Sequence, residues 1–321
     1  MSHVVVKRRS ERGGSDGGAS TNQGRTVKKL NDDGVLSWLF AVPGLLILGI
    51  FVIYPFLNTI RLSFTNARML TPGTFVGLQN YVNLFKDSRF ATAFLNSSLY
   101  VICVVPFMII LPLILASLVT GNSRVIGFFR TTYYFPVVLS AVVVGLIWTN
   151  LLDSRGLINS VFQYLHVISK PIPFLTDRWL TLFSAMFVTM WLGLGYYMII
   201  YISALANIDN SLYEAAAIDG AGPIRQFIHV TIPGVKSTML LIMLLSSVAA
   251  FRVFNEIYVL TNGTGGVGGK DVTVTMMIQQ EGTGLSARTG YASAISVVLL
   301  IIVGIITVVQ LLVQRRGGKD A

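Results

Sequence analysis

The sequence predicts an all-α membrane protein with six transmembrane helices, and three observations lead there. Of the 321 residues, 53% are hydrophobic and only 12% charged, with a mean hydropathy of +0.70; that is too apolar for a water-soluble chain of this length. The apolar residues come in long uncharged blocks, not at the spacing of a half-buried soluble helix or strand. Five such blocks and a sixth interrupted only by Arg252 and Glu256 occur, each at or above the roughly 20 residues that a helix needs to cross the hydrocarbon.

Residues 1–34 are rich in Gly, Ser, Asp and basic residues and have almost nothing to bury, so a disordered basic tail is expected there. The first block, 35–60, is longer than the apolar part of a signal peptide and no small-residue cleavage site follows it, which makes it a retained spanning helix. Further spans are expected at 90–123, 131–152, 179–208, 237–260 and 289–314. The transmembrane domain thus runs from 35 to 316, with a short tail at 317–321.

Six crossings put both termini on one side of the membrane. The connections on that side, with the termini, hold fourteen Lys and Arg against nine on the other, so cytoplasmic termini are expected. Seven of the fourteen (Lys7, Arg8, Arg9, Arg12, Arg25, Lys28 and Lys29) sit in the N-terminal tail. The net charge of +10 therefore reads as topology; no aromatic-interleaved basic face accompanies it, and no nucleic-acid partner is expected. Cys103 is the only cysteine, and His3, His166 and His229 are far apart, so neither a disulfide framework nor a metal site is expected. Residues 263–270 superficially resemble a phosphate loop, yet a Walker A motif would need Gly at Thr264 and Ser or Thr at Asp271. The chain is not expected to hydrolyse ATP.

On the outer side, residues 156–165 have the apolar spacing of a short amphipathic helix, open to two readings: cover for the bundle or a docking surface. Within the fifth span Arg252 and Glu256 lie one helical turn apart and are expected to share a face and pair. Ionisable groups at membrane depth are functional candidates, and a structural pair near the helix end is the other reading. Phe187, Trp191, Tyr196 and Tyr197 crowd the fourth span, where aromatics serve packing and sugar stacking equally well.

The inner connection at 209–233 is the informative one. Ser211 followed by Glu214 fits a capping box, and 212–218 is rich in helix formers. Gly220 and Gly222 can end that helix, Pro223 suits the first position of a second one, and Pro233 should stop the second near Ile232. The result is a helix, a glycine elbow and another helix: a small alanine-lined knob carrying Glu214 and Asp219. Such a knob suits insertion into a partner's groove, and an ordinary interfacial hairpin fits the residues as well.

Glu214-Ala215-Ala216, Asp219-Gly220-Ala221, Gln226, Phe227 and Ile232-Pro233 resemble the EAA loop of ABC-importer permeases at that family's spacing. Residues 75–81 (FVGLQNY), Trp191-Leu192-Gly193 with Tyr196, and 254–261 (FNEIYVLT) are similar to the maltose-type sugar permeases, specifically the partner with the longer N-terminal region. The likeness covers nearly everything from 35 to 314.

It implies the ABC importer type I permease fold and the role of a membrane-spanning permease subunit in an ATP-driven, binding-protein-dependent importer of a di- or oligosaccharide. It also implies a heterodimer with a second permease, two ABC ATPase subunits, an extracytoplasmic solute-binding protein, and a multi-pass place in the cell (inner) membrane lipid. No cofactor is expected on this chain, with ATP and Mg on the ATPases. The residues implied in coupling are Glu214, Ala215, Ala216, Asp219, Gly220, Ala221 and Pro233; those implied along the substrate pathway are Leu192, Gly193, Tyr196 and Ser246. At Ala249 and Val253 the maltose permease carries an aromatic ring and an amide, so maltose itself is not implied. Two rivals from other classes are a membrane-embedded enzyme, for which the spans supply only Arg252 and Glu256 as charged groups, and a channel or scaffold without an ATPase partner.

Overall fold

The computed structural model describes Trp38 and residues 40–121 and 123–317; the basic tail expected at 1–34 and the last four residues lie outside the described residues. Among the described residues six stretches are long and apolar enough to cross a membrane: Phe40–Ser63, Ser88–Leu118, Ala141–Tyr164, Arg178–Leu205, Lys236–Leu260 and Thr289–Gln314. Contacts divide the chain into two units after Leu57. Most of the first helix, α1 (Phe40–Ser63), belongs to the first unit, and none of its most apolar window is buried. Apolar side chains left exposed along a helix of this length are what lipid solvates.

The second unit begins with the end of α1 and a short helix, α2 (Gln79–Lys86), followed by α3 (Ser88–Leu118). Asp87 caps α3, accepting from the Arg89 amide at 2.8 Å. The helices α4 (Arg124–Val138) and α5 (Ala141–Leu152) come next, then α6 (Leu157–Tyr164) and α7 (Arg178–Leu205). The expected single span at 131–152 is therefore corrected: Leu139 and Ser140 are extended, just after Pro136, and helix restarts at Ala141. The apolar stretch of membrane length pairs α5 with α6 instead. The amphipathic segment expected at 156–165 does form a helix of its own, α6.

The core lies where α3 packs along α7 and α10 (Lys236–Phe251). Tyr100, Met108, Met186, Met198, Tyr201 and Ile242 are fully buried there. Buried hydroxyls in an apolar core need partners. Tyr100 and Thr189 share a hydrogen bond at 2.8 Å, and Tyr201 donates to the Ile109 carbonyl at 2.9 Å. At Gly195 a Cβ would lie 2.8 Å from the Tyr134 Cα, so α4 and α7 approach at a distance only glycine permits.

The fifth span also departs from expectation. Helix α10 ends at Phe251, Val253 and Phe254 are non-helical, and α11 (Asn255–Leu260) begins anew. Arg252 and Glu256 thus lie on either side of a break rather than on one continuous helical face, and they form no ion pair. The buried Thr273 hydroxyl bonds to the Val253 carbonyl at 3.0 Å, satisfying an acceptor that the break releases.

A glycine-rich loop follows, in which Asn262 and Gly263, Gly265, Gly266, Gly268 and Gly269 all have positive φ. It closes over Asp271, which is fully buried. The chain ends with α12 (Val274–Gly282) and α13 (Thr289–Gly317). Glu281 of α12 receives both Arg89 at 3.0 Å and Arg288 at 2.7 Å, and Tyr291 donates to Asp87 at 2.8 Å. These contacts bind the start of α3 to the α12–α13 turn, at the end of the bundle away from the 209–233 connection.

Candidate functional site

The connection between α7 and α10 folds as a hairpin. Its first helix, α8 (Asn210–Ile218), is capped by Asp209, whose carboxylate accepts from the Ser211 amide at 2.9 Å. That hydrogen bond holds the Asp209 carboxyl below the ordinary aspartate range. The expected Ser211–Glu214 capping box is corrected: helix starts two residues earlier, so Ser211 is already helical. The C-terminus follows expectation, with Gly220 at φ +77°. The amides of Gly220 and Ala221 bond back to the carbonyls of Ala217 and Ala216 at 3.0 and 2.9 Å, which satisfies two of the last carbonyls of α8.

The second arm is α9 (Pro223–Gln226), with Pro223 in its first turn. Its helical path continues through a π turn, Phe227–Thr231, and Ile232–Gly234, then stops at Val235, close to the expected end, before α10 starts afresh at Lys236. Pro233 lacks an amide, so it removes a hydrogen bond from the ladder, and the widened turn with i→i+5 bonding accommodates the loss. Two hydrogen bonds brace the hairpin: Tyr213 with Thr231 between the arms, and the Gln226 side chain to the Ala221 carbonyl at 3.0 Å.

The elbow is bare. Glu214, Ala215, Asp219, Gly220 and Pro233 are exposed, and Ala216 and Ala221 are half-buried. Ile218 and Ile224 stand 86% and 77% exposed, close together in sequence on either side of the elbow. Two isoleucines left in water beside alanine and glycine make a compact apolar tip on a stiff support, the form of a surface that a partner covers. At the root, Phe227, Ile232 and Ile208 pack against the core cluster, so force on the elbow reaches α7 and α10 directly.

A second feature is a cavity of about 220 Å³ among α3, α7, α10 and α11. Leu192, Gly193, Tyr196 and Ser246, the four residues singled out by resemblance, all line it. Gly193 brings α3 near: a Cβ there would sit 2.5 Å from the Met108 Cε. Ala249 is also in the wall, whereas Val253 is buried away from it. Thr189, Tyr197 and Glu256 complete the polar lining. Sequence reasoning placed Glu256 in a pair with Arg252. The helix break at 252–254 separates it from Arg252, and Glu256 lines the cavity; a lone charge in an apolar span was the signal that could have found it. The wall therefore offers an aromatic face, hydroxyls, one carboxyl group and small side chains, the mixture that a hydroxylated solute fits.

Residues 71–318 match the family of binding-protein-dependent transport system inner membrane components. The chain is 34% identical over 295 residues to a probable ABC transporter permease protein of Bacillus subtilis, YurN, covering 91% of this chain and 100% of that one. It is 31% identical to the lactose transport system permease protein LacF of Rhizobium radiobacter, over 92% of this chain and 99% of the other. Its fold is like that of a solved chain from a bacterial ABC transporter involved in import of the acidic polysaccharide alginate, with a TM-score of 0.78 at 21% identity, covering 91% and 99% of the two chains. A membrane-embedded enzyme and a passive scaffold both give way to a transport component. This chain belongs to the family of binding-protein-dependent transport system inner membrane components and is a multi-pass permease subunit of an ABC importer.

Proposed function

We propose that the chain forms one half of the translocation pathway of a sugar importer and that the 209–234 hairpin couples that pathway to ATP hydrolysis on a partner. The hairpin carries this reading: an exposed apolar elbow, closed by Gly220 and braced by Tyr213 and Thr231, joins through short turns the two helices that wall the cavity. In this scheme Glu214, Ala215, Ala216, Asp219, Gly220 and Ala221 seat against an ABC ATPase, and Pro233 with its π turn transmits the movement. ATP and Mg reside on two such ATPases, and no cofactor is bound by this chain.

The complement is a second, non-identical permease and an extracytoplasmic solute-binding protein, with both termini of this chain in the cytoplasm. Nucleotide-driven closure of the ATPases biases two packings of the helices, one opening the cavity inward and the other outward. A di- or oligosaccharide as solute is supported by the relatives named for lactose and for arabinooligosaccharides, and by a cavity wall that includes Leu192, Gly193, Tyr196 and Ser246.

Reconstitution of the chain with its partner permease, ATPases and binding protein in liposomes tests the proposal. Sugar uptake dependent on ATP and on the binding protein is expected. Uptake that persists without nucleotide would contradict it.

A further inference from the structure

Glu256 stands apart from every other residue of the cavity. Two of the hydroxyls nearby are already engaged, Thr189 with Tyr100 at 2.8 Å and Ser246 with the Met243 carbonyl at 3.3 Å, and those of Tyr196 and Tyr197 bring no charge. Glu256 alone brings a formal charge to the wall. The ion pairs among the described residues are those of Glu281 with Arg89 and Arg288, so no cation neutralises Glu256. Arg252, the nearest basic residue in sequence, is exposed and does not line the cavity. A carboxyl group held at membrane depth without a basic partner is costly, and such groups face a cavity where a ligand meets them.

We propose that Glu256 sets the charge class of the transported solute, accepting hydrogen bonds from the hydroxyls of a neutral sugar and turning away sugars that carry a carboxylate. This rests on the reading of the chain as a sugar-importer permease. A hydroxyl donated to a carboxylate makes a short, charge-assisted bond, about twice as strong as one between neutral groups. A uronate brought into the same 220 Å³ would place two carboxylates in a poorly screened space, where one must take up a proton or be excluded. The fold itself does not decide the matter, because the solved importer that shares it handles acidic alginate. Tyr196 contributes an aromatic face to either kind of sugar ring. The discrimination therefore falls to Glu256.

The test is uptake into proteoliposomes holding the assembled transporter and its binding protein, normalised to the amount of complex that co-purifies with the ATPase. The probes are neutral disaccharides (lactose, maltose, cellobiose) and uronic-acid disaccharides (digalacturonate, diguluronate). Wild type is expected to carry at least one neutral probe and neither uronate. Glu256→Ala lowers neutral uptake about tenfold, and Glu256→Gln lowers it less while reducing the preference for neutral over acidic probes. Glu256→Asp keeps the charge and the preference, so a structural role alone would not reproduce the series. Because one binding protein serves all variants, changes in preference belong to this chain. Uronate uptake by wild type, or wild-type uptake and preference in both Glu256→Gln and Glu256→Ala, overturns the inference while leaving the importer reading in place. No uptake of any sugar by wild type, with ATP hydrolysis intact, overturns the sugar reading and this inference together.

Discussion

The hydroxyl of Tyr213 lies 2.9 Å from that of Thr231, joining the first helix of the exposed hairpin to the π turn of its second arm. Thr231 is buried and Tyr213 half-buried, so the bond is shielded from water where the two arms of the hairpin meet. Tyr213→Phe removes it and is expected to weaken the junction by about 1 kcal/mol. Faster amide exchange across 227–231 checks the loosening, and ATP hydrolysis should rise relative to sugar uptake.

Gly220 has φ +77° with nothing within 4 Å of a Cβ added there. The obstacle to substitution is therefore the backbone and not a clash. Gly220→Val is expected to strain the elbow by about 1–2 kcal/mol and to uncouple ATP hydrolysis from uptake in a transporter that still assembles. Gly220→Asn, which tolerates this conformation, should keep most of the coupling.

Gly195 is the reverse case. A Cβ there meets the Tyr134 Cα at 2.8 Å, with the Tyr133 carbonyl also in the way, and neither can move without shifting α4. Gly195→Val is expected to destabilise the bundle by 2 kcal/mol or more, on the order of other overpacked cores. The amount of monodisperse protein recovered from membranes measures the loss.

Glu281 holds two arginines while remaining only 9% exposed itself, and both arginine side chains are about half exposed. Solvent screening limits each bond, so Glu281→Gln is expected to cost roughly 1–2 kcal/mol rather than the larger penalty of a fully buried pair. A lower Tm in detergent, with a difference that narrows at high salt, checks it.

Asp271 gives a pH dependence. Burial pushes its carboxyl up to about 6, against the opposing pull of the Arg178 guanidinium. The folded chain therefore holds a proton that the unfolded chain releases above about 4. Stability consequently falls as pH rises from about 4 to about 6 and levels off beyond. Asp271→Asn removes the titration: it is expected to raise Tm at pH 7.5, and the gain should shrink towards pH 5.

The six apolar blocks were legible because the hydrocarbon demands length and the absence of charge, which a sequence displays without any tertiary information. Five of the six spans follow the blocks closely. The third did not, because Leu139 and Ser140 turn extended and separate α4 from α5 inside an uninterrupted apolar run. The glycine elbow was legible because Gly220 can take the positive φ that ends a helix and Pro223 suits the first turn of the next.

What escaped the sequence lay in competition between neighbours. Asp209 outcompeted Ser211 for the cap, and the path before Pro233 widens into a π turn that local rules do not foresee. Arg252 and Glu256 looked paired because a continuous helix was assumed. The break between them is fixed by contacts made far along the chain, including Thr273. The cavity residues Leu192, Gly193, Tyr196 and Ser246 came from family likeness and not from physics, since four helices must first be packed before a cavity exists.

In the proposed function the 209–234 hairpin faces the cytosol and lodges against a nucleotide-hydrolysing partner. Its most direct measurement replaces Cys103 with Ser, places a single cysteine at the exposed Ile218, and labels it with a membrane-impermeant maleimide. Labelling is expected only in inside-out vesicles, and is expected to fall when the ATPase is bound. Labelling of intact spheroplasts from the outside, or labelling indifferent to the ATPase, would contradict the account.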